Sequence, residues 1–114
     1  MSKVFDRFET EMKRGVMQVA VICLLDKEDY GYGIIKSLNN SGLKIEEGTL
    51  YPLLRRLEKD KLLSSRWETK GPRPRKYYVI TEFGKEIRLK WLNSFKAIYK
   101  TIELLEVNIQ VKGE

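Results

Sequence analysis

At 114 residues, with 42% apolar and 33% charged residues, the chain is long enough for one small folded domain and is not typical of a disordered protein. It has no histidine, the commonest general base and zinc ligand, and no acidic pair stands out. We therefore expect no enzyme, no catalytic residues, no cofactor and no metal site. The longest apolar stretch, residues 16–25, is too short to cross a membrane and no signal peptide is evident, which predicts a cytoplasmic protein.

The first predicted element is a helix over residues 3–26. Apolar side chains recur at helical spacing from Phe5 to Ile22. Gly15 weakens the middle of this helix, so we expect the first turns to form a separate or bent arm. Cys23, the only cysteine, lies in an apolar run and is expected to be a buried, reduced thiol.

A short second helix is predicted over residues 32–40, after a charged, turn-like segment at residues 27–30. Ile34, Ile35 and Leu38 have the spacing of an inward face. Turn residues and a glycine follow at residues 39–42, and they predict the end of this helix.

The third predicted helix covers residues 47–60. Leu50, Leu54 and Leu57 form one apolar stripe, with Leu53 beside them. The residues that fall on or near the opposite face are Gly48, Tyr51, Pro52, Arg55, Arg56 and Lys59. This helix is therefore predicted to bury its leucines and to present a basic face to solvent.

The spacing of the apolar residues then changes from helical to alternating. Leu63, Ser65 and Trp67 alternate with more polar residues and predict a half-buried strand, and residues 77–80 predict a second one. Residues 70–75 combine glycine and proline with positive charge. We expect a β-hairpin with a basic tip. The basic residues assigned to this tip are Arg73, Arg75 and Lys76.

The last predicted element is a long helix with Thr81 as its N-cap. Its apolar residues are three or four positions apart, which is typical of a coiled-coil seam. They are Ile87, Trp91, Phe95, Ile98, Ile102, Leu105 and Ile109. We expect a single domain, residues 1–114, with a body over about residues 1–80 and a dimerisation helix over about residues 81–109.

The positive charge is concentrated in one part of the chain. Between Tyr51 and Lys76, nine basic residues stand against three acidic ones, and this excess of six equals the net charge of the whole chain. The nine are Arg55, Arg56, Lys59, Lys61, Arg66, Lys70, Arg73, Arg75 and Lys76. Lysines spread for solubility would not cluster in this way, so the pattern favours a surface that binds a polyanion.

Double-stranded DNA is the polyanion that this arrangement suits best. A helix fits the major groove, and its outer face must supply hydrogen-bond donors to base edges and phosphates. The candidate DNA-binding residues are Thr49, Tyr51, Arg55, Arg56, Lys59, Arg73, Arg75 and Lys76. We expect Arg55 and Arg56 to contribute to base recognition and the hairpin residues to act mainly on phosphates.

Three blocks of sequence resemble the PadR family of transcriptional regulators. They are Tyr-Gly-Tyr-Gly-Ile at 30–34, Gly-Thr-Leu-Tyr-Pro-Leu-Leu-Arg-Arg-Leu-Glu at 48–58, and Arg-Lys-Tyr-Tyr-Val-Ile-Thr-Glu-Phe-Gly at 75–84. With the intervals between them, they cover about residues 12–105 in the order of the family. The resemblance implies a mainly α fold with a small β-hairpin, a winged helix-turn-helix that dimerises through a long C-terminal helix.

The resemblance also implies a repressor that a small molecule or a stress signal usually releases. The compact subgroup is expected, because only 30 residues follow Gly84. By the same resemblance Tyr51 lies toward the DNA backbone, and Arg75 and Lys76 belong to the second strand of the wing. Lys61 departs from the family, which usually has glycine after this helix; a left-handed lysine costs about 1 kcal/mol more than glycine.

The aromatic residues near the ends of the chain allow two interpretations. Trp91, Phe95 and Tyr99 on the last helix, with Phe8 on the first, form either the core of a homodimer or a slot between subunits for a planar aromatic molecule. Some compact members of the family bind flat aromatic drugs at this interface through a tryptophan of this helix. Here Phe95 falls at that position, and Trp91 lies one turn earlier.

A second class of function stays open, namely a dimeric coiled-coil interaction protein whose basic surface binds a protein or anionic lipid without reading DNA sequence. That interpretation accounts for the terminal helix. It does not account for a basic excess confined to the third helix and the hairpin. The sequence therefore best predicts a homodimeric, sequence-specific regulator that binds double-stranded DNA and does not associate with membranes.

Overall fold

A computed structural model describes residues 2–113, with side chains over residues 2–109. The elements are α1 (Ser2–Leu24), β1 (Asp29–Tyr30), α2 (Gly31–Asn40), α3 (Glu47–Lys59), β2 (Leu63–Glu68), β3 (Arg75–Ile80) and α4 (Glu82–Gly113). The strands form one antiparallel sheet in the order β1-β3-β2. The predicted order of three helices, a hairpin and a long helix is confirmed. None of the described helices has the length and apolar character that a membrane crossing requires.

The hydrophobic core lies where α1, α2, α3 and the base of the hairpin meet. Its fully buried side chains include Ile22, Ile34, Leu50, Leu54, Leu57 and Leu63. Each such residue stabilises the fold by about 1.5–3 kcal/mol relative to an exposed position. The leucine stripe predicted for α3 is confirmed, and it orients this helix so that its opposite face lies in solvent.

The structure corrects three expectations near the N-terminus. Residues 29–30, expected in a turn, form β1 and pair with Tyr77 and Tyr78 of β3. Two residues are too few to show the alternation of apolar and polar side chains that predicts a strand. α1 runs unbroken through Gly15, because packing of its C-terminal half on the core outweighs the low helix propensity of one glycine. Cys23 is exposed, since Val21 and Leu25 mark the buried face of this segment and Cys23 lies on the far side.

α3 ends in a Schellman motif that places Lys61 in the left-handed region at φ 66°. The amide of Lys61 donates to the carbonyl of Glu58, and the amide of Leu62 donates to the carbonyl of Leu57, both at 2.9 Å. The left-handed geometry that the family's usual glycine implies is thus kept at Lys61, although lysine is the costlier residue there. The motif reverses the chain, so that Leu62 and Leu63 enter the core directly after α3.

The start of α4 is attached to the same turn. The hydroxyl oxygen of Thr81 accepts a hydrogen bond from the amide of Gly84 at 2.9 Å, which confirms the predicted N-cap. The same hydroxyl donates to the carbonyl of Lys61 at 2.7 Å. A Cβ on Gly84 would overlap the carbonyl oxygen of Leu62, so glycine allows the helix to lie against this turn.

Candidate nucleic-acid interface

The outer face of α3 is solvent-exposed, as the leucine stripe predicts. Gly48, Tyr51, Pro52, Arg55, Arg56 and Lys59 are all exposed. Glu47 lies in the first turn, and Arg56 and Lys59 lie in the last turn, so the charges at both ends are favourable to the helix dipole. Exposure of the basic face therefore costs the helix little stability.

The hairpin formed by β2 and β3 stands beside α3 and is called the wing below. Its pairing runs from Leu63 opposite Ile80 to Glu68 opposite Arg75. Arg75 and Lys76 therefore lie in β3, as the family resemblance implies, rather than at the tip, and Arg73 remains in the turn. The strand starts two residues earlier than predicted. Charged residues are tolerated at the solvent end of a hairpin, and the prediction missed them because it relied on apolar residues.

A cleft of ≈ 670 Å³ separates α3 from the wing, and we call it the wing cleft. Five of the predicted DNA-binding residues line it. Tyr51 and Arg55 come from α3, and Arg73, Arg75 and Lys76 come from the wing. The fold thus brings together residues that are about twenty positions apart in the sequence, with cationic groups on both walls of the cleft.

Besides the buried Tyr78, three aromatic residues of the wing cleft were missed as candidates: Tyr30, Tyr32 and Trp67. Trp67 was expected on a half-buried strand and is 60% exposed, because β2 extends past the edge of the core at that point. The guanidinium of Arg75 lies over the ring of Tyr30 at 4.6 Å, within the range of a cation–π interaction. The signal for the tyrosines was present in the Tyr-Gly-Tyr block, whose residues the fold places beside α3.

Tyr51 is held by close packing against α2. A Cβ on Gly31 would overlap the ring and hydroxyl of Tyr51, so the glycine makes room for it. Partial burial, followed by the nearby Glu47 carboxylate, raises the pKa of Tyr51 above its ordinary value. Like an ordinary phenol, Tyr51 is protonated at physiological pH, and it can donate a hydrogen bond into the wing cleft.

An ion pair joins α3 to the wing. Nζ of Lys76 lies 3.3 Å from Oε1 of Glu58, and the hydroxyl of Ser65 donates to the same carboxylate. The hydrogen bond from Ser65, and then Lys76, lower the pKa of Glu58. Desolvation is the largest single influence on Lys76 and lowers its pKa, but the hydrogen bonds and charges of Glu58 and Tyr78 together outweigh it and raise the pKa of Lys76. Lys76 thus shares its charge with α3 in the free protein.

Three further basic residues, Arg66, Arg56 and Lys59, do not line the wing cleft. Arg66 is bound to the carboxylates of Glu28 and Glu68, and the hydrogen bond from Arg66 lowers the pKa of both acids. Arg56 and Lys59 are exposed on α3 and, within the described residues, are not among those lining the wing cleft. Arg66 thus joins the wing to the segment before β1 and is already paired in the free protein.

Thr49 lies apart from the other predicted residues. It lines a second cleft, of ≈ 810 Å³, between α1 and the start of α3. Lys13 and Arg14 of α1 and Lys44 of the α2–α3 turn line the same space, which we call the α1 cleft. None of these three cations was a sequence candidate, because their positive charge is balanced by acids nearby in the chain.

The aromatic residues of the predicted seam have different surroundings. Trp91 is half-buried and packs against the edge of the core. Phe8, Phe95 and Tyr99 are exposed in the single chain. Either a dimer core or a ligand slot built from these residues requires a second copy of the chain, so both interpretations stay predictions.

A helix-turn-helix whose second helix presents a basic face, followed by a two-stranded basic wing, defines a winged helix-turn-helix DNA-binding protein. The family model described as the transcriptional regulator PadR-like family matches residues 21–89. The chain therefore belongs to the PadR-like family of transcriptional regulators. It is a transcription regulator and not an enzyme, and regulators of this family bind DNA.

Two solved structures and one sequence relative agree with this assignment. A PadR family transcriptional regulator from Eggerthella lenta is 35% identical, with a TM-score of 0.85, over 91% of this chain and 93% of that one. A PadR-like transcription factor from Bacteroides fragilis is 36% identical, with a TM-score of 0.74, over 87% and 98% of the two chains. A transcriptional regulator of Mycobacterium tuberculosis is 38% identical over 60 residues, 53% of this chain and 56% of that protein.

Proposed function

We propose that the protein is a homodimeric transcriptional repressor that binds a specific double-stranded operator through α3 and the wing. The wing cleft carries the proposal. Arg55 on one wall and Arg73 and Arg75 on the other supply charge-assisted donors of the kind that bind phosphate, and Tyr51 supplies a neutral one. A regulator of this kind acts on chromosomal DNA, so we propose a cytoplasmic location.

The two walls have different roles in this proposal. Arg55 lies on the exposed face of α3, the element that enters the major groove, and it contributes to base recognition. Arg56 and Lys59 extend the same exposed face, and Arg56 is the second candidate for base contacts. Arg73 and Arg75 act on phosphates, and stacking of Arg75 on Tyr30 holds its side chain against the cleft wall.

Single substitutions distinguish these roles on an operator selected from random duplexes. Arg75→Gln is expected to weaken binding to operator and random DNA alike, and to lower the slope of log K against log salt by about one unit for each bound protomer. Arg55→Gln is expected to cost about 1–3 kcal/mol on the operator and less on random DNA. Lys96→Gln, on the far side of α4 from the apolar seam, is the charge-matched control.

Equal losses for Arg55→Gln and Arg75→Gln on both kinds of DNA would show that the division of roles is wrong. A protein that bound heparin and anionic vesicles but selected no duplex would instead support a non-specific interaction protein. Reporter repression in cells that carry the selected operator then tests the direction of regulation.

The homodimer is proposed from the apolar residues that the single chain leaves in solvent. Phe5, Phe8 and Met12 of α1 are 48–63% exposed, and Phe95, Ile98, Ile102 and Leu105 of α4 are 48–59% exposed. Folded monomers rarely expose apolar stripes of this length. We propose that about residues 81–109 form the dimerisation helix, while the body over about residues 1–80 binds DNA.

Release by a small molecule is the last part of the proposal. Two copies of Trp91, Phe95, Tyr99 and Phe8 near a dimer axis would form a slot for a planar aromatic molecule. A ligand there would contact the helices that set the separation of the two α3 helices, which must match about 34 Å of DNA. It would release DNA only if it bound the DNA-incompetent form more tightly.

Tryptophan fluorescence tests the slot in a Trp67→Phe background, where Trp91 alone reports. Saturable quenching by planar aromatic compounds, lost in Phe95→Ala and accompanied by DNA release, would support it. If a broad panel produced no quenching and left DNA affinity unchanged, the aromatic residues would serve the dimer core alone.

A further inference from the structure

The α1 cleft and the wing cleft lie on opposite flanks of α3. At about 100° per residue, Tyr51 and Arg55 project from one side of the exposed face of α3, and Thr49 projects from the other. Tyr51 and Arg55 line the wing cleft, and Thr49 lines the α1 cleft. The exposed face of α3 therefore has a cleft on each side.

The walls of the α1 cleft are mainly cationic and polar. Lys13, Arg14 and Lys44 contribute three positive charges, and Glu46 contributes one negative charge. Lys13 is 3.7 Å from the carboxylate of Glu9 and shares its charge with it. Among the residues that the structure describes, Arg14 and Lys44 are in no ion pair and are exposed, so their charges are free to meet an anion.

α1 extends this cationic surface toward its N-terminus. Lys3, Arg7 and Arg14 are separated by four and seven positions, which places them in one row along the helix. The row continues into the cleft through Thr10 and Met17, and Met17 is buried there. The exposed apolar residues Phe5 and Phe8 lie on the opposite side of α1, so the face with the basic row remains available when a partner covers them.

A helix in the major groove lies between two sugar–phosphate strands, one along each flank. The wing cleft accounts for one of these strands. We propose that the α1 cleft binds the phosphates of the other strand, through Arg14 and Lys44 with Thr49 as a neutral donor. This inference rests on the proposed DNA binding by α3 and adds the second strand, the α1 helix and the α2–α3 turn to the interface.

The double variant Arg14→Gln/Lys44→Gln tests the proposal by DNA binding between about 50 and 200 mM salt. Two lost phosphate contacts per protomer are expected to lower the slope of log K against log salt by about two units for each bound protomer. Lys44→Gln alone is expected to lower it by about one unit for each bound protomer. Because phosphates carry no sequence information, the loss should be equal on operator and random duplexes. Lys96→Gln/Lys100→Gln on α4 removes the same charge and should leave the slope unchanged.

Removal of a negative charge from the same cleft should have the opposite effect on DNA binding and gives a second test. Glu46 has no side-chain cap hydrogen bond to α3, so Glu46→Gln removes a negative charge without loss of a cap. It should tighten binding to every duplex, which a purely structural role for the cleft does not predict. Thermal unfolding of each variant, expected to match the wild type, verifies that the exposed substitutions leave the fold intact.

The outcomes separate this inference from the proposed function. If the wild type shows no salt-dependent duplex binding, the proposed function fails and this inference fails with it. If Arg75→Gln lowers the slope but the α1-cleft double variant does not, the proposed function stands and the second backbone site is overturned. A lower slope for both, with tighter binding by Glu46→Gln, supports the two-cleft interface.

Discussion

At the scale of single residues, Lys61 shows how backbone geometry can override side-chain preference. The turn between α3 and β2 needs a left-handed residue, and Lys61 adopts φ 66° there. The corresponding turn after α2 has Gly42 at φ 99°, with the same pattern of hydrogen bonds from Gly42 and Leu43 to the end of that helix. The chain therefore contains two Schellman motifs, of which only one has the residue that suits it best.

Lys61→Gly is expected to raise the free energy of unfolding by about 1 kcal/mol, because glycine adopts the left-handed conformation without a Cβ penalty. Gly42→Ala is the matched substitution in the opposite direction and should lower it by a similar amount. Urea denaturation of both variants measures the change. A Lys61→Gly protein no more stable than the wild type would show that the lysine side chain contributes contacts that offset its strain.

Glu58 gives a pH-dependent prediction at the same scale. Its pKa is lower in the folded protein than in the unfolded chain, so its contacts with Ser65 and Lys76 stabilise the fold above the unfolded pKa. That contribution is lost as the pH falls through the folded pKa. Glu58→Gln should therefore lower the free energy of unfolding by about 1 kcal/mol at neutral pH, and by much less in acid where Glu58 is protonated.

The measurement is denaturant unfolding at a series of pH values, with Glu86→Gln on the exposed side of α4 as the control. The pKa of Lys76 is raised, so its own share of the stabilisation is present below the unfolded pKa and is lost only as the pH rises through the folded pKa. A difference between Glu58→Gln and wild type that is constant from acid to neutral pH would contradict the assignment to the carboxylate.

At the scale of elements, the junction between α4 and the DNA-binding body depends on close backbone approach. Thr81 caps α4 and also donates to the carbonyl of Lys61, while Gly84 lies against the carbonyl of Leu62. One turn further along the same side of α4, Nη1 of Arg88 lies 3.0 Å from Oδ1 of Asp26. The direction in which α4 leaves the body is thus set by contacts within its first two turns.

Gly84→Ala is expected to destabilise the protein by about 1–3 kcal/mol, because the new Cβ overlaps a backbone carbonyl that has little freedom to move. If the fold adjusts by tilting α4, the two DNA-binding bodies of a dimer would also change their separation. Thermal unfolding and operator binding report the two effects. The adjacent Lys85→Ala, at an exposed position, serves as the control, and equal behaviour of the two variants would contradict the steric argument.

At the scale of the whole molecule, the N-terminal half of α1 and the C-terminal half of α4 share one property, an apolar face that the single chain does not cover. The described residues extend over 63 × 33 × 22 Å, an elongated shape for a chain of this size. Both observations are typical of a protomer that completes its core with a second copy. The proposed spacing of two α3 helices on DNA depends on that assembly.

Ile98→Lys is expected to dissociate the dimer or unfold it, because the substitution places an unpaired charge in the proposed seam. Asn93→Lys adds the same charge on the opposite side of α4 and should leave assembly unchanged. Sedimentation at micromolar protein concentration measures both. A wild-type protein that sediments as a stable monomer would contradict the homodimer at once.

Much of the candidate site could be predicted because its signals are local. Arg55 was identified from the stripe of leucines on the other face of its own helix, and Arg73 from a run of turn residues and charge. Trp67, Lys44 and Arg14 could not be assigned in this way. Whether a tryptophan lies over the core or beyond its edge, and whether two cations share a cleft, depends on how separate elements pack.

The sequence by itself determined the order of the elements, the inward leucine stripe of α3 and the N-cap at Thr81, since each follows from the chemistry of neighbouring residues. Only the tertiary structure decided the β1 strand, the exposure of Cys23, the ion pair of Lys76 with Glu58 and the clefts on both flanks of α3. Those features join residues that lie far apart in the chain. No local periodicity records such contacts, because they arise only when the core brings the elements together.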